Sequence, residues 1–160
     1  MVNMNRTLIG FLALAALGLL AACNRPSASA VGENPGPADT HWLTDYQQAL
    51  KLAAEQKKTV LLDFTGSDWC PYCIQLKRQV FDTAEFQRFA RQKLVLVEID
   101  FPRAKPQSPD VARQNEKLQN QFRVRGFPTL ILLNPDGQEL KRSEGLLEGG
   151  VKGFLKWVES

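Results

Sequence analysis

The sequence predicts an α/β domain built on a mixed central β-sheet with helices on both faces. Three observations carry that reading. Segments with apolar residues three and four apart alternate with short aliphatic and β-branched runs, which marks alternating helices and strands. Alternation of that kind implies crossover connections and parallel strand pairs. Late in the chain the order changes to strand, turn, strand and helix, with Asn134-Pro135-Asp136-Gly137 as the turn, so one strand pair is antiparallel.

The chain has 160 residues, a length suited to one domain, and its 44% hydrophobic and 23% charged residues exclude wholesale disorder. The net charge of +3 is small and gives no reason to expect a nucleic-acid partner.

Residues 1–22 stand outside the domain. Arg6 is the one charged side chain there, and it precedes the apolar run 8–20, which ends in Ala21 and Ala22. A positive start, an apolar middle and a small-residue end are the parts of a secretory signal peptide. The run falls short of the roughly 20 residues that a spanning helix needs, which argues against a permanent membrane anchor. Leu20-Ala21-Ala22-Cys23 resembles the lipobox of bacterial lipoproteins. That resemblance implies cleavage before Cys23 and a diacylglycerol on its sulfur, so that the protein contacts the lipid membrane through acylated Cys23; a plain thiol at this position is the alternative. Residues 23–39 follow as the lipidated cysteine and a tether rich in Pro, Gly, Ser and Ala, too polar to offset its own ordering entropy.

The domain is expected over residues 40–160. Trp42, Leu43, Tyr46, Ala49, Leu50 and Ala53 recur at helical spacing and predict a helix over 41–58. Residues 59–64 form a buried strand, and 65–68 a loop. Residues 70–81 read as a helix, and Asp82 with Glu85 three positions on looks like a capping pair that begins another. A second buried strand covers 94–99, a proline-rich loop 101–109, and a further helix 110–122. Strand 129–133 and strand 139–142 flank the turn, and a last helix over 150–159 places Val151, Phe154, Leu155 and Val158 on one face.

Trp69-Cys70-Pro71-Tyr72-Cys73 lies where strand and loop run into a helix. Two cysteines three apart on the first turn of a helix are close enough for a reversible disulfide. Pro71 suits the first helical position, where the missing N–H costs nothing and the fixed φ helps. Cys70 then sits at the positive end of the helix dipole, which stabilises a thiolate, while Cys73 lies one turn in and is expected to be less exposed. Cys70 is therefore the expected attacking sulfur and Cys73 the resolving one.

With these features the chain resembles the thioredoxin superfamily over residues 41–160. The resemblance rests on the strand Val60-Leu61-Leu62-Asp63-Phe64, the Trp-Cys-x-x-Cys motif, Gly126-Phe127-Pro128-Thr129 before a strand, and the final amphipathic helix; the run 64–70 resembles the bacterial secreted thioredoxin-like lipoprotein branch of that superfamily. It implies a thioredoxin fold and a thiol-disulfide oxidoreductase with no cofactor and no metal, acting on exported proteins that carry thiols or disulfides. It implies a cis bond before Pro128, a substrate groove formed by Trp69, Pro71, Tyr72, Phe127 and Pro128, and a proton-moving role for Asp63 beside Cys73. Asp63 stands seven residues before Cys70, one more than in thioredoxin, and Leu96 stands where thioredoxin has a lysine near that carboxylate. Burial without a cationic partner is expected to raise the Asp63 carboxyl. The bland alternatives are a capped structural Asp63, a trans Pro128 that starts a strand, and a Trp69 that is packed as well as lid-forming.

Rival readings use the same pair. Zinc needs four ligands, and two cysteines with the lone His41 do not supply them. Transfer of a soft copper ion, which accepts two thiolates, a non-enzymatic secreted binding module and a purely structural disulfide complete the alternatives. Within the redox reading, Pro71 and Tyr72 add no charge to the Cys70 thiolate, leaving the dipole's roughly 0.3–1 kcal/mol. The expected couple lies near about −270 to −200 mV, on the reductant or isomerase side of the strong oxidases near about −120 mV, and a membrane electron donor is implied to keep it reduced in the bacterial cell envelope, on its periplasmic side.

Overall fold

The structure is a computed structural model that describes residues 40–160. The expected signal peptide, Cys23 and the tether lie outside the described residues. Trp42–Leu43 forms the short strand β1, followed by helix α1 over Tyr46–Gln56. Strand β2 covers Thr59–Thr65, helix α2 covers Pro71–Leu76, and a π-helical turn continues it over Lys77–Phe81. Helix α3 (Ala84–Lys93), strand β3 (Leu94–Asp100) and helix α4 (Pro109–Gln121) come next. Strands β4 (Thr129–Leu133) and β5 (Glu139–Glu144) and helix α5 (Gly150–Glu159) complete the domain.

The five strands lie in the order β1-β3-β2-β4-β5. β1 and β2 both run parallel to β3, whereas β4 runs antiparallel to β2 and to β5. The mixed sheet is therefore as the sequence predicts, and its central strands are apolar on both sides because each face is covered. On one face Val60, Leu62 and Phe64 pack with Val97 and Ile99 against Tyr46, Ala49 and Ala53 of α1 and Leu118 of α4. On the other, Leu61, Leu96 and Leu130 pack against Leu76 of α2, Phe86 and Ala90 of α3 and Phe154 of α5. Each such fully buried aliphatic or aromatic side chain contributes about 1.5–3 kcal/mol. This second face is also the one that carries Asp63, because residues 61, 63 and 65 of a strand point the same way.

Three local expectations are corrected. The first helix begins only at Tyr46, because Asp45 accepts a hydrogen bond from Gln48 N at 2.9 Å as its N-cap, and the apolar pair before it joins the sheet edge opposite Leu96 and Val97. The second helix is not α-helical to its end: Asp82 N donates to Lys77 O at 2.9 Å, the five-residue step of a π-helix, so one extra residue is taken up ahead of α3. Thr83, not Asp82, caps α3. Thr83 has the extended backbone of an N-cap and accepts from Phe86 N, whereas Asp82 keeps a near-helical backbone and pairs with Lys77.

The turn at 134–137 forms as expected, with Gly137 N donating to Asn134 O at 2.9 Å and Gly137 at φ 82°, a conformation that favours glycine. At the other end of the chain, α5 can enter its position only through a glycine. A Cβ on Gly153 would stand 1.8 Å from the Glu148 carbonyl oxygen.

Candidate active site

The loop at the end of β2 turns back on itself through Gly66, whose carbonyl accepts from Trp69 N at 3.2 Å and from Cys70 N at 2.9 Å. Glycine is required there by space. A Cβ on Gly66 would come within 2.5 Å of the Trp69 ring. This tight loop delivers Cys70 as the N-cap of α2, with extended φ and ψ, and Pro71 as the first helical residue.

Cys70 and Cys73 are joined by a disulfide with Cα atoms 5.2 Å apart. The Cys70 sulfur also accepts from Cys73 N at 3.2 Å, so it receives one of the free N–H groups of the helix start. Both cysteines are 4% exposed, which corrects the expectation that Cys73 would be the more buried of the two. Their difference is positional. Cys70 sits on the helix end, with the dipole directed at it, and Cys73 has its side chain against the cavity beneath. Tyr72, 61% exposed, stands out from the helix between them.

That cavity has a volume of about 280 Å³ and is lined from both α2 and the sheet. Cys73, Asp63, Glu98 and Lys77 line it. Asp63 is 6% exposed and its Oδ1 has no hydrogen-bond partner among the described residues. The β2–β3 register sets Glu98 directly beside Asp63, while Leu96 pairs with Leu61. Glu98 therefore replaces Leu96 as the neighbour of the buried carboxylate, and the neighbour is acidic, not neutral. Burial foremost, then the charges of Glu98 and Asp100, hold the Asp63 carboxyl well above the usual carboxylate range. Burial also raises Glu98, as does Asp100, with Lys105 and Lys77 acting the other way.

Beside the disulfide stands an aromatic group. The Trp69 indole N–H donates to Phe101 O at 2.7 Å, and the ring meets Phe127 edge-on at 6.0 Å between centroids. Phe101 stacks on Phe127 at 5.0 Å, and the Arg103 guanidinium lies 3.8 Å from the centre of the Trp69 ring. The Asp68 carboxylate fixes this loop from below. It accepts from the backbone N–H groups of Arg103, Ala104 and Lys105 and is held below the usual carboxylate range by those bonds. The Phe127–Pro128 peptide is cis, and Pro128 is buried at the start of β4.

The structure thus gathers Asp63, Trp69, Cys70 and Cys73 around one helix end, with Phe127 reached through Trp69. Phe101, Arg103, Glu98 and Asp100 belong to the same neighbourhood and were not singled out from the sequence. A two-residue period over 94–100 puts Leu94, Leu96, Glu98 and Asp100 on one strand face, and that signal marks both acids. No comparable signal marks Arg103 or Phe101, whose place depends on a loop fold. Among the described residues no group of three or more His, Cys, Asp or Glu is placed to hold a metal ion, and no helix is long and apolar enough to cross a membrane.

Residues 46–159 match the thioredoxin-like domain family. The disulfide bond reductase DsbH of Chlamydia pneumoniae is 36% identical over 123 residues, covering 77% of this chain and 73% of that protein. The thioredoxin-related protein DsbJ of the same organism is 33% identical over 124 residues, 78% of this chain, which spans only 35% of DsbJ. A solved structure described as DsbH oxidoreductase superposes with a TM-score of 0.71 at 35% identity, covering 76% of this chain and 83% of that one. A disulfide bridging the cap and first turn of a helix, set on this sheet topology and supported by these likenesses, means that the chain belongs to the thioredoxin superfamily, in its bacterial Dsb-like group of thiol-disulfide oxidoreductases.

Proposed function

We propose that this thiol-disulfide oxidoreductase works as a reductant or isomerase of exported proteins, with Cys70 as the attacking sulfur, Cys73 as the resolving sulfur and Asp63 as the group that takes and returns the Cys73 proton. The observation that carries this reading is the placement of the Cys70–Cys73 disulfide between the start of α2 and a buried carboxyl group whose Oδ1 has no hydrogen-bond partner among the described residues. In the reducing direction, the Cys70 thiolate attacks a substrate disulfide and expels one substrate thiolate. Cys73 then loses its proton to Asp63 and attacks the Cys70 sulfur, which releases the second substrate thiolate and closes the Cys70–Cys73 bond. Trp69, Pro71, Tyr72, Phe127 and Pro128 would form the surface against which the substrate chain lies.

The electrostatics favour the reductant side. One N–H bond and the helix dipole stabilise a Cys70 thiolate, and the three acids Asp63, Glu98 and Asp100 on that face of the sheet add no positive charge to it. A couple built this way lies near thioredoxin and glutaredoxin, about −270 to −200 mV. Equilibration of the pair with glutathione or dithiothreitol buffers measures it. A potential above about −150 mV, with the pair fully oxidised in intact cells, would overturn the reductant assignment in favour of disulfide formation. The likeness to a protein named as a disulfide bond reductase supports the same direction.

A location in the bacterial cell envelope follows from the signal-like segment 1–22 and from the lipobox ending at Cys23. Several acyl chains, each CH₂ contributing about 0.8 kcal/mol, would anchor the domain to a membrane, and a membrane electron donor would return it to the dithiol form. Cys23→Ala is expected to release the protein from the membrane fraction and leave exchange by the domain unchanged. Mass spectrometry of the mature N-terminus decides the point, because an unmodified terminus elsewhere is incompatible with acylation.

A further inference from the structure

The cavity beside Cys73 holds more polar machinery than that exchange cycle uses. Two of its lining oxygens, Asp63 Oδ1 and Thr40 Oγ1, are buried without a hydrogen-bond partner among the described residues. Orphaned polar atoms around a polar cavity are satisfied by water, and a volume of about 280 Å³ far exceeds the roughly 10–15 Å³ that one water requires. Asp63 is only 6% exposed, so exchange of its proton with solvent, in either half of the cycle, needs a carrier between the two.

Few groups near Asp63 are available to receive it. Asp100 already accepts from Ser67 N at 2.9 Å and from Ser67 Oγ at 2.6 Å, and that hydroxyl in turn accepts from Lys105 Nζ at 3.1 Å. On the helical side of the cavity, Asp82 is paired with Lys77. Glu98 remains. It stands opposite Asp63 in the strand register, lines the same cavity, and is half-buried, so one side of it reaches solvent.

We propose that Glu98 is a positioning residue for the resolving step, taking from Asp63 through cavity water the proton that Cys73 releases, and passing it to bulk solvent. The inference rests on Asp63 acting as the base for Cys73. The balance is as follows: the Cys73 S–H bond breaks as an O–H bond forms on Asp63, the Cys70–Cys73 bond forms, and the substrate sulfur departs with the electron pair of the mixed disulfide. One proton then moves from Asp63 to water while Glu98 accepts one from water, and Glu98 gives it up to solvent, where the departing thiolate or buffer collects it. The substrate disulfide is the only oxidant.

The charged and titratable groups that face this path are Cys73 and Lys77 from α2 and its π-helical turn, Asp82 after that turn, Asp100 at the end of β3, and Lys105 from the following loop. Lys77 and Lys105 favour an ionised Glu98, and an ionised Glu98 opposes ionisation of Asp63. The two carboxyls therefore titrate as a pair, and removing one charge moves the other's midpoint.

The test uses the full chain, reduced and then mixed with an aromatic disulfide reagent, 5,5′-dithiobis(2-nitrobenzoate): loading of Cys70 releases a first coloured thiolate, and resolution by Cys73 releases a second, whose rate is followed. The release rate is measured from pH 5 to 9 in the wild type, Glu98→Gln, Glu98→Asp and Asp63→Asn. Glu98→Gln is expected to slow release about five- to tenfold at neutral pH, less than the loss of a general base, and to move the limb of the pH profile to lower pH. Glu98→Asp, which keeps the carboxylate, is expected to restore the position of that limb. A Glu98→Gln profile that superimposes on the wild type, or a loss shared equally by Glu98→Asp with no shift in the limb, overturns the role of Glu98 while a slow Asp63→Asn leaves Asp63 as the base. An Asp63→Asn protein that releases at the wild-type rate overturns both.

Discussion

Cys70→Ser is expected to abolish disulfide exchange, whereas Cys73→Ser leaves a protein that captures substrates and does not let them go. Serine is too weakly acidic to supply an attacking oxyanion at neutral pH, so the first change removes the nucleophile itself. In the second, Cys70 keeps its position at the start of α2, receiving the N–H of residue 73 and the helix dipole. Its thiolate still attacks, and the mixed disulfide that forms has no second sulfur within reach to break it. The positional asymmetry carries this prediction, since both cysteines are equally buried. Turnover in a two-thiol assay and non-reducing gels of whole-cell extracts check it: substrate adducts should accumulate on Cys73→Ser and be absent from Cys70→Ser. Full turnover by Cys73→Ala would overturn the assignment of roles.

Asp63→Asn should impair catalysis and stabilise the fold at once. Loss of a positioned proton acceptor costs about a hundredfold or more in the step it serves, so resolution of the mixed disulfide slows by at least that order. The effect on stability follows from the direction of the shift. The folded-state carboxyl is held well above its ordinary value of 3.8 by burial and by Glu98 and Asp100, so above that value the folded protein binds more protons than the unfolded chain. Stability from this group is complete below pH 3.8, falls as the pH rises toward the folded-state midpoint, and stays low above it. Asparagine has no such charge to bury, and the variant's advantage should grow through that window and then level off. Urea denaturation at a series of pH values measures the difference. A variant less stable than the wild type at neutral pH would mean that the carboxylate is held for structure.

Much of the fold was legible because its signals are local. Strand Thr129–Leu133 and helix Gly150–Glu159 coincide with their expected limits, since an uninterrupted aliphatic run and a clear apolar face are each bounded by turn residues. Strand β1 was not legible. Two residues carry no period, and Trp42 and Leu43 fit a helical pattern equally well until the Asp45 cap and pairing with Leu96 and Val97 decide otherwise. The choice of Thr83 over Asp82 likewise depends on where the π-helical turn lets go of the chain, which no spacing of side chains announces.

By itself the sequence determined the redox pair: two cysteines three apart, a proline between them at the first helical position, and a strand before them are a local arrangement, specified by backbone geometry over a single turn. The mixed sheet followed from the same kind of information, repeated along the chain. Only the tertiary structure decided what stands around that pair. Glu98 beside Asp63, Arg103 over Trp69 and Phe101 against Phe127 are meetings of residues distant in sequence. A parallel register is selected by which faces of β2 and β3 must be buried together, and one residue of slip would turn Glu98 to the opposite face. That selection belongs to the packed domain as a whole, and so does the electrostatic setting in which the two sulfurs work.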